Sequence, residues 1–444
     1  MLHLHHVNGA EACCFRTQNS IAKRDAFSTD GQNIVFTYKG DIYRVAASGG
    51  KALQLTTQSS YEMNPVWSPD GKQIAFIVRG EVFVTSVDYS TTKQITHTVA
   101  AERNVDFGAD NRSLVYTSER DGISQLYIAK IVREEDPNFP NATLIREEPL
   151  LSDLNVERSY PTFSPDGKEV AFIEDRIRLM VVNLETGNVR QVTDGSTWYS
   201  QSSGFEYAWS PDGKWFVIEY TANGHEPYND MGIVSAYGGE ITNLTASGYM
   251  SHSPKWVLDG NGIIFESEIY GMRAQASWGS QDDVFLCFLN QDAYDKYMLS
   301  EEDYELRKEI EKKAEPKPED KPKGKKDKKG KEVSEPETKD IIVELDGIRD
   351  RIVKLTPNSS NLGDAIISKD GESLYYFAAF EGGMDLWKMD LRKHETKLIN
   401  KAPAGGRGGG GSLQMDKNGN LYALGSSMRK IEKGDKITPI TYNA

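Results

Sequence analysis

Along most of the chain, apolar and polar residues alternate in short runs rather than recurring every three or four positions. Lys72-Gln-Ile-Ala-Phe-Ile-Val78, Glu81-Val-Phe-Val-Thr-Ser-Val87, Lys168-Glu-Val-Ala-Phe-Ile173 and Ile177-Arg-Leu-Met-Val-Val-Asn183 are runs of this kind. A period of two sends successive side chains to opposite faces, so each run predicts a half-buried strand. The strands are punctuated at regular intervals. Phe27-Ser-Thr-Asp-Gly31, Trp67-Ser-Pro-Asp-Gly71, Phe107-Gly-Ala-Asp-Asn111, Phe163-Ser-Pro-Asp-Gly167, Trp209-Ser-Pro-Asp-Gly213, Trp256-Val-Leu-Asp-Gly260, Ile367-Ser-Lys-Asp-Gly371 and Met415-Asp-Lys-Asn-Gly419 are eight copies of one turn. Their fourth positions are 40, 40, 56, 46, 47, 111 and 48 residues apart, so the 111-residue step stands out.

Ser-Pro-Asp-Gly suits a type I turn, with Ser first, Pro at the second position with φ already fixed, and Gly last. A second marker keeps phase with it. Leu55-Thr56, Ile95-Thr96, Val192-Thr193, Leu244-Thr245, Leu355-Thr356 and Ile440-Thr441 each end a short strand, with Leu151-Ser152 and Leu398-Ile399 as weaker versions. Turns containing Gly, such as Ser48-Gly-Gly50 and Tyr237-Gly-Gly239, lead into that strand. Each unit therefore holds four antiparallel strands in about 40–48 residues, the period of a propeller blade. The fold class is all-β, a single β-propeller spanning 21–444 after a disordered tail at 1–20. Eight in-phase units predict eight blades, or seven if a terminal unit packs elsewhere or closes the ring by strand exchange. Phe27, Trp67, Phe107, Phe163, Trp209 and Trp256 share one phase and are expected to pack between blades, which cannot bury their faces alone. The turn Asp residues lack the D-x-D-x-D-G spacing of a calcium loop and read as turn formers.

The long step is an insertion at 290–345 in the sixth blade, between Asp283-Val-Phe-Leu-Cys-Phe-Leu289 and Arg351-Ile-Val-Lys-Leu-Thr356. Ser300-Glu-Glu-Asp303 begins a helix as a capping box. From about 314 to 340, Pro, Lys and Glu dominate, which predicts disorder. Lys323-Gly-Lys-Lys-Asp-Lys-Lys-Gly-Lys331 reads as a solvated loop whose charges are balanced by neighbouring acids.

Composition narrows the function. The 444 residues carry 52 Lys+Arg against 66 Asp+Glu, a net charge of −14, which is a poor match to a nucleic-acid backbone. No 18-residue apolar stretch occurs, so no helical membrane span is expected. The 3 Cys cannot form a disulfide framework, and Cys287 alternates within a strand as a core residue. The amino terminus lacks the pattern of a secretory signal, so compartment stays open. His3, His5 and His6 could take a metal but read as a frayed tail. The chain stops at Thr441-Tyr-Asn-Ala444, directly after a strand-like run and with no closing element.

Catalytic signatures are not found. There is no G-x-S-x-G elbow, no H-E-x-x-H and no zinc-like cysteine spacing, and Gly405–Gly411 lacks the Lys-Ser/Thr of a phosphate loop. His97, His225, His252 and His394 fall in different units without metal-like spacing. No cofactor, metal or catalytic residue is assigned. The segments least like a plain blade are 199–207, 220–230 and 270–280, rich in Tyr, Asn, Gln, Glu and Trp. From them Tyr199, Phe205, Glu206, Tyr207, His225, Glu226, Tyr228, Asn229, Arg273 and Trp278 are candidate peptide-contact residues.

The serial Trp-Ser-Pro-Asp-Gly-Lys units with Leu-Thr strand ends resemble TolB-like and WD40-like propellers. The segment 199–230, Ser277-Trp-Gly-Ser-Gln-Asp-Asp-Val-Phe285 and the charged insertion ending in Asp350-Arg-Ile-Val-Lys-Leu-Thr356 resemble, more specifically, the N-terminal propeller of bacterial tricorn-type (S41 family) serine peptidases. The resemblance covers roughly residues 21–444 and implies a periplasmic or envelope-associated location, as in the bacterial homologues. It implies a non-catalytic propeller that binds or guides peptides or unfolded polypeptide toward a peptidase domain, with PDZ and catalytic domains downstream as partners and no catalytic residue in this chain. The alternative is a stand-alone TolB-like scaffold for protein–protein interaction. A third reading is an enzyme with its active site in the propeller channel.

Overall fold

The computed structural model describes residues 25–443 apart from 28–30, 58–61, 197–205, 223–227, 274–279, 315–339, 403–410 and the single positions 39, 90, 154, 381, 417, 426 and 433. Eight four-stranded antiparallel sheets follow one another along the chain, each with its strands in sequence order. They are the eight blades of a propeller, one for each turn motif. Blade 5 is built from Tyr207–Trp209, Trp215–Tyr220, Asp230–Ser235 and Thr242–Asn243. Blade 6 is built from Ser251–Val257, Gly262–Ser267, Asp283–Phe288 and Ile352–Lys354. First strands of neighbouring blades approach one another, as Glu62–Trp67 does Glu102–Phe107, so they form the inner ring.

Both sequence markers have a physical cause. In the turn, Gly71 N–H donates to the Ser68 carbonyl at 2.9 Å, and Gly71 takes φ +70°, a region that favours glycine. The Ser68 hydroxyl donates to Asp70 at 2.6 Å and accepts from Gln73 N–H at 3.0 Å. The Asp70 carboxylate also accepts from Lys72 N–H at 3.0 Å, and the same arrangement recurs at Ser164–Asp166, Ser210–Asp212 and Ser368–Asp370. The Asp is a turn former throughout these copies.

The Thr of the second marker ties the fourth strand to the third. Thr56, Thr96, Thr193 and Thr356 are buried, and each hydroxyl accepts a backbone N–H at the start of the third strand, from Ile42, Val82, Leu179 and Val284, at 2.9–3.1 Å. A buried amide left without that acceptor costs about 1–3 kcal/mol. Thr193→Val is therefore expected to destabilise the ring by about 1–3 kcal/mol, read as a lower urea midpoint at unchanged slope. A loss below half that would mean water replaces the hydroxyl.

The phase-sharing aromatics sit in the seams. Trp67 packs with Val35 and Ile42 of blade 1 and Ile74 of blade 2. Phe107, Phe163, Trp209 and Trp256 join clusters that each span two blades, while the Phe27 side chain lies outside the described residues. Cys287 lies fully buried in the blade 5–6 cluster, where burial pushes its thiol up to about 12. The 56-residue step also finds its reason. The connection from Gln125–Ile131 to Ile145–Pro149 carries a short helical turn, Phe139–Asn141, whose fully buried Phe139 fills the blade 2–3 seam. Phe139 N–H donates to Gln73 Oε1 at 2.8 Å across that seam.

The ring closes between blade 8 and blade 1, where Ile34, Phe36 and Val45 pack with Tyr422, Leu424 and Ile440. Tyr442–Asn443 pairs in parallel with Gly50–Lys51, and the Tyr442 ring lies 4.5 Å from Phe36. This corrects the expectation of an end without a closing element: the last two described residues form a strand on blade 1.

The insertion begins with helices Gln291–Met298 and Glu301–Ala314. Asp303 N–H donates to Ser300 Oγ at 3.1 Å, the N-cap read from the sequence. Tyr294 and Tyr297 pack on Phe288 of blade 6, and Lys308 pairs with Glu372 beside the blade 7 turn at 2.6 Å. The expected disorder falls on 315–339, outside the described residues. Connections from third to fourth strand leave the same end of the blades as the turns, so the helices occupy the turn face.

Candidate functional site on the face opposite the turns

The segments singled out by composition emerge together. The connection into blade 5, the second-to-third strand connection of blade 5 and that of blade 6 all leave the face opposite the Ser-Pro-Asp-Gly turns. Tyr199, Phe205, His225, Glu226 and Trp278 lie outside the described residues. The others can be placed. Tyr207 enters the blade 4–5 seam, where its hydroxyl donates to the Tyr160 carbonyl, lies 3.0 Å from the Ala171 carbonyl and accepts from Thr162 Oγ1 at 3.2 Å. Burial pushes its phenol well above the usual range. Arg273 sits 3.8 Å over the Tyr249 ring. Asn229 is buried and donates to Glu219 Oε1 at 2.8 Å, while Thr221 donates to Asn229 Oδ1 at 3.0 Å. Tyr228 and Glu206 flank this pair, half-buried.

At the strand ends from which these connections leave lies a polar cluster with no sequence signature. The first strand of blade 6 bulges between His252 and Lys255, where Ser253 takes φ +58°. The register still sets His252 directly opposite Glu266 on the second strand. Nδ1 of His252 is 3.6 Å from Glu266 Oε2, and Nε2 is 3.5 Å from Asp282 Oδ1. All three residues are buried, at 7%, 4% and 8% exposure. Asp282 is held by two backbone hydrogen bonds with Ser360, at 2.8 and 3.1 Å. Glu219 of blade 5 completes the group and accepts from Ser253 N–H at 3.4 Å. Burial raises Glu219 to about 7, with Glu206 adding to the rise and His252 opposing it.

Blade 7 presents a cavity of about 340 Å³ on the same side of the ring, rimmed by Pro357 and Asn358 that follow the blade 6 Leu-Thr marker. Phe380 and Trp387 meet edge to face at 5.3 Å on its wall, and Phe380 and Leu398 remain exposed. Trp387 Nε1 is buried without an acceptor among the described residues. The Tyr376 hydroxyl, pushed up to about 12 by burial, makes no hydrogen bond of ordinary geometry among the described residues, although Thr396 stands beside it. Asp385 and Lys401 put charge of both signs at the edge. Aromatic walls beside the Trp387 N–H donor suit a ligand with apolar groups and carbonyl acceptors.

Sequence reading missed both features. His252 is separated from Glu266 and Asp282 by 14 and 30 residues, and only blade registry brings them together. The cavity joins 357–358 to 376–401 through ordinary strand residues without a motif.

Comparison with known proteins agrees with the resemblance read from the sequence. Residues 26–136 match the family described as the Tricorn protease N-terminal beta propeller domain. The Tol-Pal system protein TolB of Francisella tularensis subsp. tularensis (strain WY96-3418) is 24% identical over 153 residues, which is 32% of this chain and 31% of that protein. The chain thus matches about a third of the length of such relatives. The crystal structure of the tricorn protease superposes with a TM-score of 0.50 at 13% identity, over 92% of this chain and 38% of that one. Porphyromonas gingivalis dipeptidyl peptidase 4 superposes with a TM-score of 0.50 at 10% identity, over 91% of this chain and 56% of that one. At such identities the superpositions establish the propeller fold alone. Among the described residues, no helix is long and apolar enough to cross a membrane.

Proposed function

We propose that this ring is the polypeptide-binding front part of a tricorn-like serine peptidase, taking extended or unfolded chain on the face opposite the turns and passing it to a peptidase domain outside these 444 residues. The observation that carries the reading is the blade 7 cavity. Among the described residues, Trp387 Nε1 is a buried donor without an acceptor, set among aromatic and aliphatic side chains. A buried donor of this sort costs about 1–3 kcal/mol until it is paired, so an incoming carbonyl would recover that energy. An extended peptide supplies a carbonyl and a side chain at each residue, which fits one donor beside one apolar wall. The match of residues 26–136 to the tricorn propeller family supports the same reading.

The test is fluorescence anisotropy with a labelled library of unstructured peptides and the full chain. Binding without cleavage is expected, and Trp387→Ala should weaken it tenfold or more. Trp387→Phe keeps the apolar wall and removes only the donor, so it should give an intermediate loss. Cleavage of the peptides by this chain, or equal binding by all three proteins, would refute the reading. The similarity to TolB supports a second reading, a stand-alone interaction scaffold. The DNA beyond codon 444 separates the two: a continuing frame with a peptidase domain favours the first, and an immediate stop the second.

A further inference from the structure

We propose that His252, Glu266 and Asp282 of blade 6 form a binding site for a divalent transition-metal ion of the zinc or manganese class. One donor atom from each residue lies within 4.8 Å of the other two, and all three residues are more than nine-tenths buried. The two imidazole–carboxylate separations, 3.6 and 3.5 Å, exceed the 2.7–3.2 Å of an N–H···O hydrogen bond. The imidazole thus stands between the two carboxylates, with one ring nitrogen facing each. Metal–ligand bonds of about 2.0–2.2 Å place tetrahedral donors roughly 3.4 Å apart, so a bound ion would draw these donors slightly closer together.

The backbone holds each donor in place. The bulge at Ser253 fixes the approach of His252, antiparallel register sets Glu266 opposite it, and the Ser360 backbone pair anchors Asp282. The Ser253 hydroxyl, 3.1 Å from His252 Nδ1, is the kind of outer partner that orients a ligating histidine. Glu219, held by Asn229 and buried alongside, adds a further carboxylate whose charge a nearby cation would favour. A mixed set of one nitrogen and two carboxylates suits zinc or manganese better than magnesium or calcium, which prefer oxygen alone. Three protein ligands leave a tetrahedral ion one coordination position open.

The experiment is isothermal titration of the metal-stripped full chain with Zn²⁺, and separately with Mn²⁺. The parent protein should carry His3→Ala, His5→Ala and His6→Ala, so that these three histidines cannot contribute to the metal signal. One equivalent of metal is expected to bind, and the unfolding temperature should rise with it. His252→Ala should weaken binding at least a hundredfold and abolish the thermal shift. Glu266→Gln and Asp282→Asn preserve shape, so they keep the test decisive if His252→Ala misfolds, and each should cost at least tenfold. Failure of either ion to bind at up to millimolar concentration would overturn the proposal, as would binding that none of the three substitutions weakens. Peptide binding through Trp387 is a separate readout, so the metal site and the peptide reading succeed or fail independently.

Discussion

Phe216→Ala should lower the stability of the ring by about 3–5 kcal/mol, seen as a large drop in the urea midpoint. Phe216 is fully buried in the second strand of blade 5, and its ring lies 4.1 Å from that of Trp209 and 5.8 Å from that of Tyr207. Around it stand Ala171, Ile173, Leu179 and Val181 of blade 4. Truncation therefore removes burial from one blade and leaves a void against another. Both neighbours are rigid sheets, and Tyr207 is pinned by its hydroxyl to blade 4 carbonyls, so the seam has little freedom to collapse. A ring propagates such damage, because each blade depends on its neighbours for its buried faces. Lys168→Ala, on an exposed turn position, should shift the midpoint by less than about 0.5 kcal/mol. A Phe216→Ala loss below about 1 kcal/mol would show that the seam repacks.

Arg351→Ala should cost about 2–4 kcal/mol, and the loss should concentrate where the chain returns from the insertion. The guanidinium is buried and donates to three carbonyls: Phe288 at 3.3 Å, Asp346 at 3.0 Å and Glu344. Removing it strands those carbonyls in a place water reaches poorly, while its stem also leaves a gap. The fourth strand of blade 6, Ile352–Lys354, begins at the next residue. Hydrogen exchange should therefore show faster opening at Ile352–Lys354 and at its partner strand than in blade 3, on the other side of the ring. Uniform acceleration across all blades would count against the local role. Arg351→Lys should recover only part of the loss, since an ammonium cannot reach the same fork of acceptors.

The repeat was legible because it is a local matter. The strand period and the Ser-Pro-Asp-Gly turn act within one blade over a few residues, and the terminal Thr reaches back 14 residues at Thr56, Thr96 and Thr193, so each needs particular residue types at fixed offsets. Eight copies therefore predict eight blades, and eight are found. The phase-sharing aromatics were legible for the same reason: a large apolar side chain at a fixed phase must meet the next blade. The closing strand Tyr442–Asn443 was not, because its partner Gly50–Lys51 lies almost 400 residues away and neither segment has a strand-like pattern of its own. Phe139 was hidden too, as one apolar residue in a long connection that finds its place only between two assembled blades.

The candidate sites divide along the same line. Composition alone drew attention to the connections at 199–207, 220–230 and 270–280, and strand order alone puts all three on one face. What those connections stand over was decided by the tertiary structure. His252 is an unremarked strand residue until register sets it against Glu266 and the Ser360 backbone pair carries Asp282 alongside. Trp387 and Phe380 look like ordinary strand and loop aromatics until the blade 6–7 connection encloses them with Pro357. By itself the sequence determined the architecture, since strand pairing and turn hydrogen bonding within a blade are satisfied locally. Only the folded ring decided the chemistry, since convergence of distant side chains depends on register between strands and on packing between blades, and no spacing along the chain records either.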